Sequence, residues 1–185
     1  MHLPLKTILK QEKAWHGLPV MTWIQIWTSK LATRLKIRIF RATIEPILLY
    51  GSETWTLPVR LQKRLDGCYT RLLMRAKNLS WKQHPTLNQI YEELIPASTL
   101  VRQRRTQFAG HCQRATNEIV SSLVLWKPHA DGRRGRKLTF PDVISRDTGV
   151  RVENLKRAME DRDVWKSYVE SVVSTEVERW WWWWL

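Results

Sequence analysis

The stretch that decides the fold is Lys30 to Leu49, KLATRLKIRIFRATIEPILL, followed after a short break by Val59 to Leu79, VRLQKRLDGCYTRLLMRAKNL. At 100° per residue, Lys30, Arg34, Arg38 and Arg41 fall within about 80° of arc, and Arg60, Arg64, Arg71 and Arg75 within about 60°. Leu61, Leu65, Cys68, Leu72 and Ala76 run beside the second basic stripe. The spacing predicts two helices, each packing on one side and meeting phosphate on the other, with Leu65 and Leu72 inside. The alternative reading of each stripe is a solvated helix face.

Composition favours a polyanionic partner. The 185 residues carry 31 Lys+Arg against 17 Asp+Glu, a formal charge of +14 and a pI near 10.3. Such an excess is the electrostatic footprint of a chain that meets nucleic acid. It is concentrated: residues 30–82 and 98–137 are strongly basic, while 83–97 and 138–185 are each slightly acidic. With 43% hydrophobic residues the chain can bury one core or two small ones. Two cysteines, Cys68 and Cys112, are too few for a disulfide framework and point to a reducing compartment. No long uncharged apolar run occurs, and Lys6, Lys10, Glu12 and Lys13 interrupt the N-terminus where a signal peptide needs a continuous apolar core. An intracellular protein, neither secreted nor membrane-spanning, is therefore expected.

Helical periodicity continues along the chain. Trp15 to Thr28 carries Trp23, Ile24, Ile26 and Trp27, and the helix after it meets Pro46, where a kink or an end is expected. Gly51-Ser52 marks a turn. Thr86 with Gln89 spells a capping box for a short helix through Ile90, Tyr91 and Leu94. Ser98 is a candidate cap for the helix running toward Cys112, and Asn117 for one carrying Ile119, Val120, Leu123 and Val124. Val143 and Ile144 mark a helix stopped at Gly149; Val152, Leu155, Met159, Val164, Tyr168 and Val169 mark one or two more. The expected fold is all-α, with about seven or eight amphipathic helices in two loosely joined parts. Residues 11–126 form a basic helical region, 127–138 a basic linker, 139–173 a small C-terminal helical region and 174–185 a disordered Trp-rich tail. Trp180 to Trp184 are five consecutive tryptophans, a run with no amphipathic period.

Several collinear motifs resemble a known family. Leu35 to Leu57 (LKIRIFRATIEPILLYGSETWTL) closely resembles the segment just after the polymerase palm in non-LTR, LINE-type retrotransposon endonuclease-reverse transcriptases. Leu65 to Leu73 (LDGCYTRLL), Ser80 to His84 (SWKQH), Arg104 to Cys112 (RRTQFAGHC) and the Arg133 to Lys137 cluster occur in family order. Met159 to Trp165 (MEDRDVW) resembles the closing segment, so the resemblance covers Gln11 to Val169. It implies a thumb and C-terminal region, RNA-directed DNA polymerase being the parent activity. The palm's paired catalytic aspartates are not spelled in this chain: there is no Asp-Asp pair, Glu92-Glu93 reads as a solvated helix face, and Asp161 and Asp163 read as a helix cap and first turn.

What the resemblance implies is a non-catalytic remnant that grips RNA or DNA, or a primer-template of both, without sequence specificity. Candidate phosphate contacts are the two stripes, then Arg102, Arg104 and Arg105, and then the loop residues Arg133, Arg134, Arg136 and Lys137, which by composition also match a nuclear-import signal. Trp55 and Trp81 are candidates either for base stacking or for the core. Cys68, His84, His111 and Cys112 lack the spacing of a zinc knuckle or finger. Neither metal, cofactor, small-molecule substrate nor membrane partner is expected. The remaining alternatives are a non-functional translated remnant, and a membrane-surface or interaction protein that works through its Trp tail.

Overall fold

The computed structural model describes residues 25–92, 94–127 and 138–182. Within them the chain is helical with no strand, as the periodicity predicts. It folds as two compact units: residues 1–50 with 59–96, and residues 51–58 with 97–185.

The first unit is built on α1 (Thr33–Leu48) and α2 (Val59–Ala76), followed by a 3-10 turn (Trp81–Gln83) and the short α3 (Leu87–Tyr91). Residues 25–28 are also helical; the rest of the expected Trp15 to Thr28 helix lies outside the described residues. Helix α1 starts three residues later than predicted, leaving Lys30 ahead of it, and runs two residues past Pro46. A proline ring removes its own N–H bond and crowds the carbonyl four residues back, a cost that the last turn of α1 bears without ending at Pro46. The core face of α1 carries Phe40, Ile44 and Leu48. That of α2 carries Leu65, Cys68, Tyr69, Leu73 and Ala76. Leu72, expected inside, is only half-buried, and Leu73 takes its place. The reason is Tyr69. Its ring meets Phe40 edge-on at 5.5 Å and stacks near Tyr91 at 6.3 Å, and its hydroxyl donates to Glu45 Oε2 at 2.9 Å. Burying that large ring turns the packed arc of α2 toward the 69 and 73 positions.

The second unit packs α4 (Ala97–Gln113) against α5 (Glu118–Val124), α6 (Phe140–Thr148), α7 (Val152–Glu160) and α8 (Arg162–Trp182), together with the 3-10 turn Ser52–Thr54. Gly51 opens that turn with φ of 66°, a left-handed conformation that favours glycine. One core joins Ala109, Cys112 and Val124 to Ile144, Leu155, Met159, Trp165 and Val169. Residues on both sides of 127–138 therefore share a core, and the boundary between compact units falls at Pro96. Composition marks loops; only burial marks a unit.

Most helix signals are placed as read. Asn117 Oδ1 accepts from Ile119 N at 3.0 Å, Asp161 Oδ1 accepts from Asp163 N at 2.9 Å and Val164 N at 3.0 Å, and Gly149 ends α6 with φ of 73°. Ser98 is different. Helix α4 begins at Ala97, so Ser98 is buried inside its first turn and not at the cap. The backbone of α8 continues to Trp182, through residues expected to be disordered. An aperiodic run cannot choose a buried face, but with no Gly or Pro after Arg162 nothing stops helix propagation.

Candidate nucleic-acid interface

In the first unit the packing that buries Phe40, Ile44 and Leu48 leaves Arg34, Arg38 and Arg41 exposed on α1, and Lys30 exposed just ahead of it. The same holds on α2, where Arg60, Arg64, Arg71 and Arg75 are all exposed. A rise of 1.5 Å per residue spreads the α2 row over about 22 Å, the axial span of about six successive phosphates on one strand. Among the described residues no carboxylate pairs with Arg34, Arg38, Arg60, Arg64 or Arg75. Both stripes thus present cations to solvent.

Two lysines of the basic block do other work. Lys36 is buried on α1 and donates through Nζ to the Trp27 carbonyl at 2.6 Å. Lys77 donates to the Gln89 carbonyl at 3.0 Å and pairs with Glu92 at 2.9 Å. Behind the stripes, burial holds the Tyr69 phenol well above its ordinary range; the Glu45 charge and hydrogen bond add to this, and Arg41 partly offsets it. Burial likewise pushes the Tyr91 phenol up to about 12, against the hydrogen bond with Thr70. Neither phenol ionises near neutral pH, and both stay protonated under the helices.

The second unit treats its basic run differently. Arg102 and Arg104 are half-buried on α4. Arg105 is 1% exposed: Nε donates to Asp147 Oδ2 at 3.0 Å, Nη2 pairs with the same oxygen, and Nη1 donates to the Trp55 carbonyl. Burial lowers its pKa and Asp147 opposes the shift. Arg105 is therefore a fold residue and leaves the set of candidate phosphate contacts. The carboxylate that claims it is 42 residues away in the chain, beyond any local pattern. Arg133, Arg134, Arg136 and Lys137 lie outside the described residues.

Of the two candidate stacking residues, Trp55 is half-buried and Trp81 is 71% exposed at the start of its 3-10 turn. Trp81 faces solvent because the capping box formed by Ser80 and Gln83 holds the turn at the surface. Cys68 and Cys112 form no disulfide and are buried in different units, and among the described residues no three of His, Cys, Asp and Glu are grouped to hold a metal ion. No helix among the described residues is long and apolar enough to cross a membrane. No known protein family, curated protein or solved structure matches the chain.

Proposed function

We propose that this protein binds RNA or DNA without sequence specificity and without catalysis, through phosphate contacts along the exposed faces of α1 and α2. The observation that carries this reading is the segregation on α2: Arg60, Arg64, Arg71 and Arg75 exposed, Leu65, Cys68, Tyr69 and Leu73 buried. Helix α2 carries a single acidic residue, Asp66, against all four stripe arginines and Lys63, a one-sign excess in place of the interspersed charges of an ordinary solvated face. The formal charge of +14 and the sequence resemblance to the post-palm region of LINE-type reverse transcriptases support the same reading. Arg102 and Arg104 remain secondary contacts in the other unit. The test is a salt titration of binding to a labelled RNA–DNA hybrid: phosphate contacts release counterions, so affinity must fall steeply and linearly on log–log axes. Binding that is absent, or insensitive to salt, overturns the proposal.

A further inference from the structure

A cavity of about 330 Å³ opens in the first unit, lined by Thr33, Lys77, Leu79, Gln83, Pro85, Gln89 and Glu92. Its size is at the lower end of the range for small-ligand sites. Its wall is built from two capping boxes. Gln83 Oε1 accepts from Ser80 N at 3.3 Å, and Gln89 Oε1 accepts from Thr86 N at 2.8 Å. Because a backbone N–H can be met only by the carbonyl oxygen of the amide, both amide flips are fixed, and each NH2 group is the half without a capping task.

Opposite in chemistry stands Glu92. Its Oε1 is held at 2.9 Å by Lys77, whose side chain is 3% exposed and is anchored a second time on the Gln89 carbonyl. Glu92 itself is exposed and sits at φ of 49° and ψ of −112°, a costly backbone state for a residue with a Cβ. Asn78 and His84, flanking the lining residues Lys77, Leu79, Gln83 and Pro85, also have positive φ, at 56° and 46°. The loop is thus held in shape by a lysine with a covered side chain and by two caps, at the cost of three residues at positive φ. Leu79 and Pro85 supply apolar surface, and the exposed Trp81 lies two residues from Gln83.

We propose that this cavity receives one unpaired guanine base of a bound single strand, with a neighbouring base on the Trp81 ring. A carboxylate oxygen beside amide donors is complementary to the guanine edge, whose N1–H and N2–H2 donate while O6 and N7 accept. Uracil offers the carboxylate one ring donor, N3–H, and cytosine one exocyclic donor, N4–H2, so neither supplies the adjacent N1–H and N2–H2 pair of guanine. Arg34 and Lys82, each next in sequence to a lining residue, are exposed for the flanking phosphates. Lys77 directly follows α2, its N–H still bonded to the Leu73 carbonyl at 2.9 Å, and two residues on from Arg75 it is turned about 200° away, so the cavity is a separate site from the α2 stripe.

The inference rests on the nucleic-acid reading above, adding a base preference in the cavity to a phosphate grip that has none of its own, and the experiment separates the two. Labelled ten-nucleotide uridine RNAs carrying a central guanosine, adenosine, cytidine or uridine are titrated with the full chain and with Glu92→Gln and Gln89→Glu. The second variant keeps the capping oxygen and removes the NH2 donor. The guanosine oligomer should bind about tenfold more tightly than the uridine one, as a good bidentate base contact provides. Both variants should reduce that ratio below about threefold while leaving the salt slope unchanged. Equal affinities for all four oligomers, or a guanosine preference undiminished in both variants, overturn the cavity assignment and leave the stripes standing. If no oligomer binds but guanosine monophosphate, and not uridine monophosphate, gives saturation-transfer signals on the native chain, the stripe reading falls and the cavity stands. Should the variants fail to fold by circular dichroism, competition by the two monophosphates on the native chain decides alone.

Discussion

Tyr69 donates its phenolic hydrogen to Glu45 Oε2 across 2.9 Å, with both residues nearly out of water. This bond ties α2 to α1 at the level where Phe40, Tyr69 and Tyr91 meet. Removing the hydroxyl takes a donor from a buried carboxylate, a change worth about 1–3 kcal/mol. Tyr69→Phe should therefore lower unfolding stability by that amount while keeping helix content, as read by urea denaturation. An unchanged urea midpoint would show that the pair contributes nothing.

Arg105 provides the second test. Deleting one partner of a buried pair strands the other, typically at about 3–5 kcal/mol. Arg105→Met should approach that loss, and Arg105→Met with Asp147→Leu should recover a good part of it, since the orphaned carboxylate is then gone. The salt dependence of nucleic-acid binding should stay as in the native chain, because the guanidinium never reaches solvent. A flattened slope in a folded Arg105→Met protein would return Arg105 to the interface.

These two residues also mark where sequence reasoning reaches and where it stops. Periodicity locates α2 and its exposed arginines because four cations at helical spacing are a local signal. It misplaces the core by one position because tyrosine counts as polar by type, while Tyr69 buries its ring and satisfies its hydroxyl on Glu45, 24 residues away. Arg105 looks like its neighbours Arg102 and Arg104 for the same reason: its partner Asp147 is remote in sequence. The caps at Thr86, Asn117 and Asp161 are legible since both halves of each motif lie within three residues. The cavity is not, although the capping box at its base is, because a hollow depends on how the turns after α2 fold back toward Thr33.

Gly110 faces the indole of Trp165. A Cβ built there meets the ring's Cδ1 and Nε1 far inside van der Waals distance. The indole is itself fixed by the bond from Nε1 to the Thr106 carbonyl at 2.9 Å, so it cannot swing aside without breaking it. Alanine gains up to about 1 kcal/mol of helix propensity. Displacing a packed ring costs about 1–3 kcal/mol. Gly110→Ala should thus be net destabilising by chemical denaturation, and a stabilised variant would mean that α4 and α8 pack less closely than described.

Asp142 gives a pH signature. The Thr139 hydroxyl, donating at 2.6 Å, is the main cause that holds its pKa at about 2, below the ordinary 3.8; the Thr139 N–H and Lys127 help, and burial opposes them. A carboxyl whose pKa is lower folded than unfolded contributes stability above its unfolded value and loses it as pH falls through the folded one. Asp142→Asn should therefore be less stable than the native chain above about pH 4, and the gap should close toward about pH 2. Urea titrations of both proteins across that range check this, and a gap that widens with acid contradicts the assignment.

The last test concerns the stripe itself. Arg60, Arg64 and Arg75 are exposed on one face of α2 with no ion pair among the described residues, so their replacement by glutamine should barely move the melting temperature. Each phosphate that is no longer neutralised lowers the log–log salt slope by about 0.7 for single strands and about 0.9 for duplex DNA. The triple variant should therefore flatten the slope by about two to three units and weaken binding to all sequences alike. Arg146, Arg151, Arg157 and Arg162 are equally exposed, but lie in a C-terminal segment whose charges nearly cancel. Changing those four to glutamine removes more positive charge and should still alter the slope by less. If the slope instead follows the number of arginines removed, whichever face they occupy, binding depends on net charge alone and the α2 row is only a solvated face.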